Sequence, residues 1–467
     1  MRNKIIYLIK NIGLFTISNF ATKLLSFLIV PFYTYYLSTE QYASIDLINT
    51  AISLLVPLLT VSVGDGILRY VILEKKQETK EVYFNCGCLI TWLGFILLLI
   101  SYPLLQYFQV FGEYTALGIL IYLLTAFNTI LSNYSRADNK IVPLVISSIL
   151  NTALLLGLNI VLIAVINLGV IGYLSSMIVA LLIANLYLMI VLRVTLIPSK
   201  KKFDTIILSK MLRYSLPLVP NSIFWWINNA LSRFFLNFYS GLSMVGLFSV
   251  ANKIPSILSV FVTIFQQAWN LSAFKEYENN STEFFKKVYK YFNSFSILAA
   301  SGLILITKIL ASLMFQKDFY QAWIYVPILI MAFYYSAISA YLGSFYTASE
   351  KTAGLFITTL IGAIISIICN FMLIPSLGAQ GAALSICISN FVLVIIRLRF
   401  SRRVINISIS LSSVLIPTTL MAIQSILLIN NYTLYSSLCF MLLCFYLLLL
   451  FKQEIIRIVN KLHHFNK

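Results

Sequence analysis

Lys23 stands near the middle of an apolar run extending from about residue 11 to residue 37, and Thr16, Asn19 and Ser26 share its helical face. A lysine at the centre of a bilayer costs about 2.5–3.5 kcal/mol on insertion scales, so that face must look into protein or water. A second run carries Asp46, Asn49, Thr50, Ser53 and Thr60 on one stripe, and a later one carries Ser249, Asn252, Lys253, Ser256 and Thr263. Arg233 and Lys308 lie nearer the ends of their runs and could reach an interface, while Asp65 and Arg69 stand four residues apart, the spacing of a local ion pair.

Lysine and arginine bind phosphate and pyrophosphate strongly. The expected substrate-binding set is therefore Lys23, Asn19, Asp46, Asn49, Arg233, Asn252 and Lys253 around a water-accessible, net cationic cavity, with Asp65, Arg69 and Lys308 assigned to coupling or gating. An ion pair between Lys23 and Asp46 is the structural reading of the same residues. A carboxylate such as Asp46 or Asp65 suits a coupling proton or sodium ion, and no other cofactor is expected. Trp225, Trp226 and Trp269 offer faces for sugar stacking, although helix packing accounts for most aromatic residues in such chains. The only histidines, His463 and His464, stand in the C-terminal tail, so His-dependent catalysis among the apolar runs is excluded. Cys86 and Cys88 point about 200° apart on one helix, and all six cysteines read as small core residues rather than metal ligands.

These residues must be held by helices in lipid. The chain has 467 residues, 60% hydrophobic and 10% charged, with a mean hydropathy of +0.92, far outside the range of water-soluble domains. About fourteen apolar runs are long enough to span, at 11-37, 42-72, 83-107, 115-134, 142-165, 169-193, 211-237, 243-266, 290-315, 321-345, 354-375, 379-397, 409-429 and 433-451. The formal charge of +18 sits in alternate breaks such as Lys75-Lys76, Lys200-Lys202 and Arg402-Arg403, which marks that side and both termini as cytoplasmic and argues for anionic lipid, not nucleic acid, as the electrostatic partner. The first run is too long for a signal-peptide core and is read as a retained span. Five prolines, Pro31, Pro57, Pro217, Pro220 and Pro255, concentrate in the polar-striped spans and are expected to kink them.

Two halves repeat. Leu168-Gly169-Val170-Ile171-Gly172 recurs as Leu377-Gly378-Ala379-Gln380-Gly381, and Asn49, Ser53 and Thr60 recur at a constant offset of 203 as Asn252, Ser256 and Thr263. The expected fold is all-α and polytopic: a six-helix lobe over 1-200, a second over 201-408, and two further spans with a basic tail over 409-467.

Asn19-Phe20-Ala21-Thr22-Lys23 through Pro31-Phe32-Tyr33, Gly64-Asp65-Gly66-Ile67-Leu68-Arg69-Tyr70, Val245-Gly246-Leu247-Phe248-Ser249-Val250-Ala251 and the paired Leu-Gly-x-x-Gly turns resemble the polysaccharide transport branch of the multidrug/oligosaccharidyl-lipid/polysaccharide exporter superfamily over nearly the whole chain. The resemblance implies a V-shaped pair of six-helix lobes and a flippase that moves undecaprenyl-pyrophosphate-linked oligosaccharide across the bacterial cytoplasmic membrane by alternating access, for O-antigen, capsule or exopolysaccharide. The lipid-linked glycan, membrane lipids and the glycan polymerase of the same pathway are the implied partners. Two positions depart from the family pattern: Ser232 stands where an aspartate often precedes the arginine, and no proline follows Ala268-Trp269 before Pro327. Lipid II-type and multidrug exporters of the superfamily are the nearest alternatives. A membrane glycan polymerase is disfavoured because the external turns are short.

Overall fold

The computed structural model describes residues 27–199, 203–278, 282–349, 352–405 and 409–465, and the described residues form helices and no strand. Asn19 and Lys23 lie outside the described residues. Nine helices are long and apolar enough to cross a bilayer, and two helix pairs bent at short breaks bring the number to eleven among the described residues. The protein is a polytopic membrane protein.

The chain divides into two compact units, residues 1–249 and 250–467. This boundary lies beyond the repeat junction near residue 200, because helices from the start of the second repeat pack on the second span. The first unit contains α1 (Val30–Tyr36), α2 (Thr39–Leu59), α3 (Val63–Leu73), α4 (Gln77–Ile100), α5 (Tyr102–Tyr107), α6 (Thr115–Ala137), α7 (Ile141–Asn159), α8 (Gly169–Leu192), α9 (Thr205–Ser215) and α10 (Leu218–Ser240), and α11 (Leu242–Ala251) runs across the boundary. Its core gathers Val63, Ile67, Phe84, Phe127, Tyr134 and Met211. Cys86 and Cys88 are free thiols inside that core, as expected of small packing residues.

Ser38 caps α2 through its side chain while Gln41 bonds back to the Ser38 amide, a reciprocal box that makes the short turn before it a firm start. The second span is not the single helix expected over 42-72. Pro57 lacks the amide that would close the preceding turn, and Val61 and Ser62 follow with φ of 51° and 50°, so α2 ends at Leu59 and α3 restarts at Val63. Of the other four prolines, Pro255 stands in the short break at which the eighth span bends, immediately before α12 (Ser256–Glu278), as expected, while Pro31 opens α1 and Pro217 and Pro220 stand at the start of α10. There a missing amide costs no helical bond.

The second unit continues through α12, α13 (Thr282–Leu305), α14 (Thr307–Met314), α15 (Val326–Ala348), α16 (Thr352–Ile405), α17 (Ser412–Ile429) and α18 (Thr433–Phe465). The ninth span bends by 61° between α13 and α14. Phe265, Trp269, Phe292 and Tyr341 stack at its centre. α16 contains two helices meeting at Gly378, whose φ of 55° a side chain would strain. Gly169 in the matching turn has φ 52°, and the following partners Gly172 and Gly381 each face a backbone carbonyl, of Leu162 and Leu373, that a Cβ would crowd. The two Leu-Gly-x-x-Gly turns thus use one backbone device twice.

Candidate functional site

Asp46 lies two turns into α2, and its carboxylate receives hydrogen bonds from two other helices. Arg233 Nε on α10 donates to Asp46 Oδ2 at 2.6 Å, and Ser249 Oγ on α11 donates to the same oxygen at 2.6 Å. The side chains of Arg233 and Asp46 are only 16% and 17% exposed. Arg233 Nη1 also bonds the Asn229 carbonyl one turn back, which fixes the guanidinium along its own helix. One turn farther along α2, buried Trp226 donates from Nε1 to the Thr50 carbonyl at 2.9 Å, tying α10 to α2 a second time. On the other side of Asp46, Tyr42 is buried in the same helix.

The crossing of α2 and α11 has near-twofold character. Asp46 and Ser249 stand 203 residues apart, the offset of the internal repeat, so equivalent positions of the two copies touch each other, as residues on a twofold axis do. Thr39 Oγ1 and Ser243 Oγ meet at 2.9 Å at the start of both helices. Between these contacts Gly246, the repeat counterpart of Ala43, lies so close to the Thr39 carbonyl that any Cβ would collide with it. Two backbones can approach this closely only at a residue without a side chain.

The remaining expected residues that are described lie each within its own unit. Asn49 is half-buried on α2. Ser53 and Thr60, which share its stripe, turn their hydroxyls onto the Thr50 and Val56 carbonyls of their own helix. Asn252 and Lys253 belong to the second unit, in the non-helical break that ends at Pro255, where the Lys253 carbonyl accepts from Ser256. Lys308 holds Asn431 at 2.7 Å and lies 4.7 Å from the Trp323 ring, a staple at the α14 end of the second unit. Asp65 and Arg69 form no pair with each other among the described residues. Arg69 instead stacks over Tyr214 at 4.6 Å. Trp226 and Trp269 are buried and hydrogen-bonded within protein, so neither face is available to a sugar, whereas Trp225 is 63% exposed. No group of three or more His, Cys, Asp or Glu capable of holding a metal occurs among the described residues.

Beside the cluster a polar recess of about 670 Å³ is lined in part by Glu40, Gln41, Ser44, Gln106, Glu113 and Asn237, with no lysine or arginine among the described lining residues. Carboxylates and carboxamides in that density match hydroxyl groups rather than phosphate. Arg397, absent from the expected set, is a second intramembrane cation: buried in the second unit, it donates to the Ser339 carbonyl and hydroxyl and to the Thr358 and Thr359 hydroxyls, and pairs with no carboxylate among the described residues.

A bundle of broken, polar-striped spans with an interhelical ion pair is the architecture of a membrane transporter. Solved structures bear this out at the level of the fold. An inward-facing multidrug resistance MATE family transporter of the MOP superfamily superposes with a TM-score of 0.67 at 17% identity, covering 84% of this chain and 98% of its own. The lipid II flippase MurJ in an inward closed conformation gives 0.68 at 17% identity, covering 95% and 99%. A MOP superfamily transporter from Pyrococcus furiosus, described as having a binding pocket of reverse polarity, gives 0.61 at 17% identity, covering 85% and 96%. None of the curated proteins compared with the chain matches it. The chain belongs to the polysaccharide biosynthesis protein family, whose model matches residues 8–270. These structural neighbours are described as transporters and a flippase.

Proposed function

We propose that the protein flips undecaprenyl-pyrophosphate-linked oligosaccharide units across the bacterial cytoplasmic membrane, for a surface polysaccharide, by alternating access. The observation that carries the proposal is the Asp46–Arg233–Ser249 cluster between membrane helices of a polysaccharide biosynthesis family member. Charges are kept at such depth for pairing or for a transported ligand, and a guanidinium held by a single carboxylate can exchange that partner for a phosphate. The short turns at Ser38 and Ser240, with the charge asymmetry of the loops, support a reading in which the cluster lies toward the external end of the bundle. In this reading it is a latch that is closed while the substrate enters from the cytoplasm. Lys23, Lys253, Asn19, Asn49 and Asn252 engage the pyrophosphate and first sugars, and Arg233 takes over the pyrophosphate as the latch opens. The acidic and amide-lined recess near Glu40 and Glu113 suits the sugar hydroxyls on their way out. A proton taken up by Asp46 would release Arg233, which makes the proton the natural coupling ion and sodium the alternative.

The test is to delete the gene in its native host and measure the lipid-linked oligosaccharide in each leaflet, complementing with wild type, Lys23→Ala and Arg233→Ala. Accumulation on the cytoplasmic face, cleared by wild type and not by either variant, is the expected result. Appearance of the intermediate on the external leaflet, still unpolymerised, would place the protein after flipping and end the proposal. The structural match to the lipid II flippase over 95% of this chain makes lipid II the second candidate cargo, since it shares the polyprenyl pyrophosphate. Feeding the same cells labelled lipid II separates the two.

A further inference from the structure

Helix α9 lies at the basic end of the first unit and is not a membrane span. Its buried side docks on α3: Met211 and Ser215 are fully buried, and a Cβ on Gly66 would come within 2.7 Å of Ser215 Oγ, so the missing side chain there is what lets the two helices close. Its opposite side presents Ile206, Ser209, Lys210 and Arg213 at helical spacing, and with Thr205, Tyr214 and Tyr70 of α3 these residues line an open cleft of about 680 Å³. The walls are aromatic and the rim is cationic. Lys210 Nζ lies 4.7 Å from the Tyr70 ring and Arg69 lies 4.6 Å from the Tyr214 ring, while Tyr70 itself stacks on Tyr83 at 5.6 Å, so the rings are held in place.

The charge is only partly compensated, since Glu74 is near enough to Lys210 for the two charges to interact but not to form an ion pair. Two carboxylates stand nearby, and both are engaged by backbone amides: Glu74 accepts from the Lys75 and Lys76 amides at 2.9 and 3.1 Å, and Asp204 caps α9 by accepting from the Ile206 and Ile207 amides. Among the described residues neither Lys210 nor Arg213 pairs with a carboxylate. Apolar side chains flank this cationic rim in the open, with Ile206 77% exposed, Leu216 61% and Phe203 40%. A helix with basic and exposed apolar residues together lies in a membrane interface, where the apolar groups enter the acyl boundary and the cations meet phosphate.

We propose that the cleft between α9 and Tyr70 is a binding site for the phosphate-bearing headgroup of a membrane lipid. Lys210 and Arg213 contact the phosphate, the Thr205 and Ser209 hydroxyls donate to its oxygens, and Ile206 and Leu216 bear on the first methylenes of the chains. The site is separate from the Asp46–Arg233 cluster and does not depend on what that cluster transports.

The experiment titrates the purified full chain in neutral detergent with short-chain phosphatidylglycerol, and separately with inorganic pyrophosphate, counting bound molecules by native mass spectrometry. For Lys210→Gln/Arg213→Gln the lipid affinity is expected to fall about thirtyfold, from two surface cations lost. The control Lys75→Gln/Lys76→Gln removes the same charge from exposed residues outside the cleft lining and is expected to change it less than threefold. Unchanged thermal melting of both variants shows that the fold is intact. Retention of lipid affinity by Lys210→Gln/Arg213→Gln, or equal loss in the two double variants, would overturn the site. Pyrophosphate bound as tightly as the lipid, and lost with it, would make this a free-anion site and overturn the assignment to a lipid.

Discussion

Asp46 and Arg233 are 187 residues apart in sequence, yet each satisfies the other in a region where neither could be left alone. Removing one partner of a buried pair leaves a desolvated charge, whereas removing both leaves a gap that neutral groups can fill. Arg233→Ala and Asp46→Ala are therefore each expected to reduce flipping by tenfold or more, and the double variant is expected to lose less than the sum of the two in free energy. A complementation series with leaflet-resolved glycolipid measures this coupling, and strict additivity would show that the two residues do not act as a pair. Arg397 makes the contrasting case, being held among the described residues by neutral oxygens of Ser339, Thr358 and Thr359. A lysine cannot reproduce that fork of donors but still brings the charge, so Arg397→Lys is expected to destabilise by about 2–3 kcal/mol, more than Arg397→Met, which removes the charge altogether. Thermal melts of the two variants in one detergent decide the order. The sequence pointed to Arg233 and Asp46 as intramembrane charges, because a lone ion in an apolar run is conspicuous. Their pairing was not legible, since nothing in the local pattern connects residues so far apart. Ser249, visible on its polar stripe but left out of the binding set, could have been joined to Asp46 because it stands at the repeat offset from it.

At the scale of elements, the first unit is pinned at one end by a charge cluster. Asp138, just past the end of α6, accepts from Lys80 of α4 at 2.7 Å and from Lys140 before α7 at 2.9 Å. Burial alone would raise the Asp138 carboxyl, but the two ammonium groups outweigh it and hold it below the ordinary carboxylate range. A folded-state value below the unfolded one means that the stabilisation is complete above about pH 4 and fades as pH falls through the lower folded value. Melting temperature should therefore drop on acidification below about pH 4, and Asp138→Asn should begin lower at neutral pH with a flatter acid limb. If Asp138→Asn retains the full acid dependence, the clamp is not its source. The element boundaries show where local signals suffice. The Ser38 cap with Gln41 three residues on, and the glycines at 169 and 378, announce their turns because a hydrogen-bonding side chain or a positive φ is needed there. The break at residues 60–62 was hidden inside one apolar run, since hydropathy reports the presence of lipid and not the continuity of a helix, and Pro57 alone does not tell whether a helix bends or stops.

For the whole molecule the decisive feature is the crossing of α2 and α11, where Thr39 meets Ser243 and Asp46 meets Ser249 across the closely packed Gly246. A transporter that alternates its access must separate some contact between its two repeats in each cycle, and a contact made of one short ion pair, two hydroxyl bridges and a glycine holds firmly but leaves little apolar surface to re-expose when it parts. A covalent tie across it therefore tests the cycle itself. The Thr39 and Ser243 hydroxyl oxygens are 2.9 Å apart, so the Thr39→Cys/Ser243→Cys variant brings two sulfurs within reach of a disulfide with small side-chain adjustment. Oxidation should stop appearance of the lipid-linked glycan on the external leaflet, and reductant should restore it, while either single cysteine should work in both conditions. Of the six native thiols, Cys86 and Cys88 are buried in the core formed by α3, α4 and α6, and the single-cysteine variants control for the rest. Should the oxidised double variant flip at the wild-type rate, the crossing never opens during transport, and the latch must be sought elsewhere in the bundle.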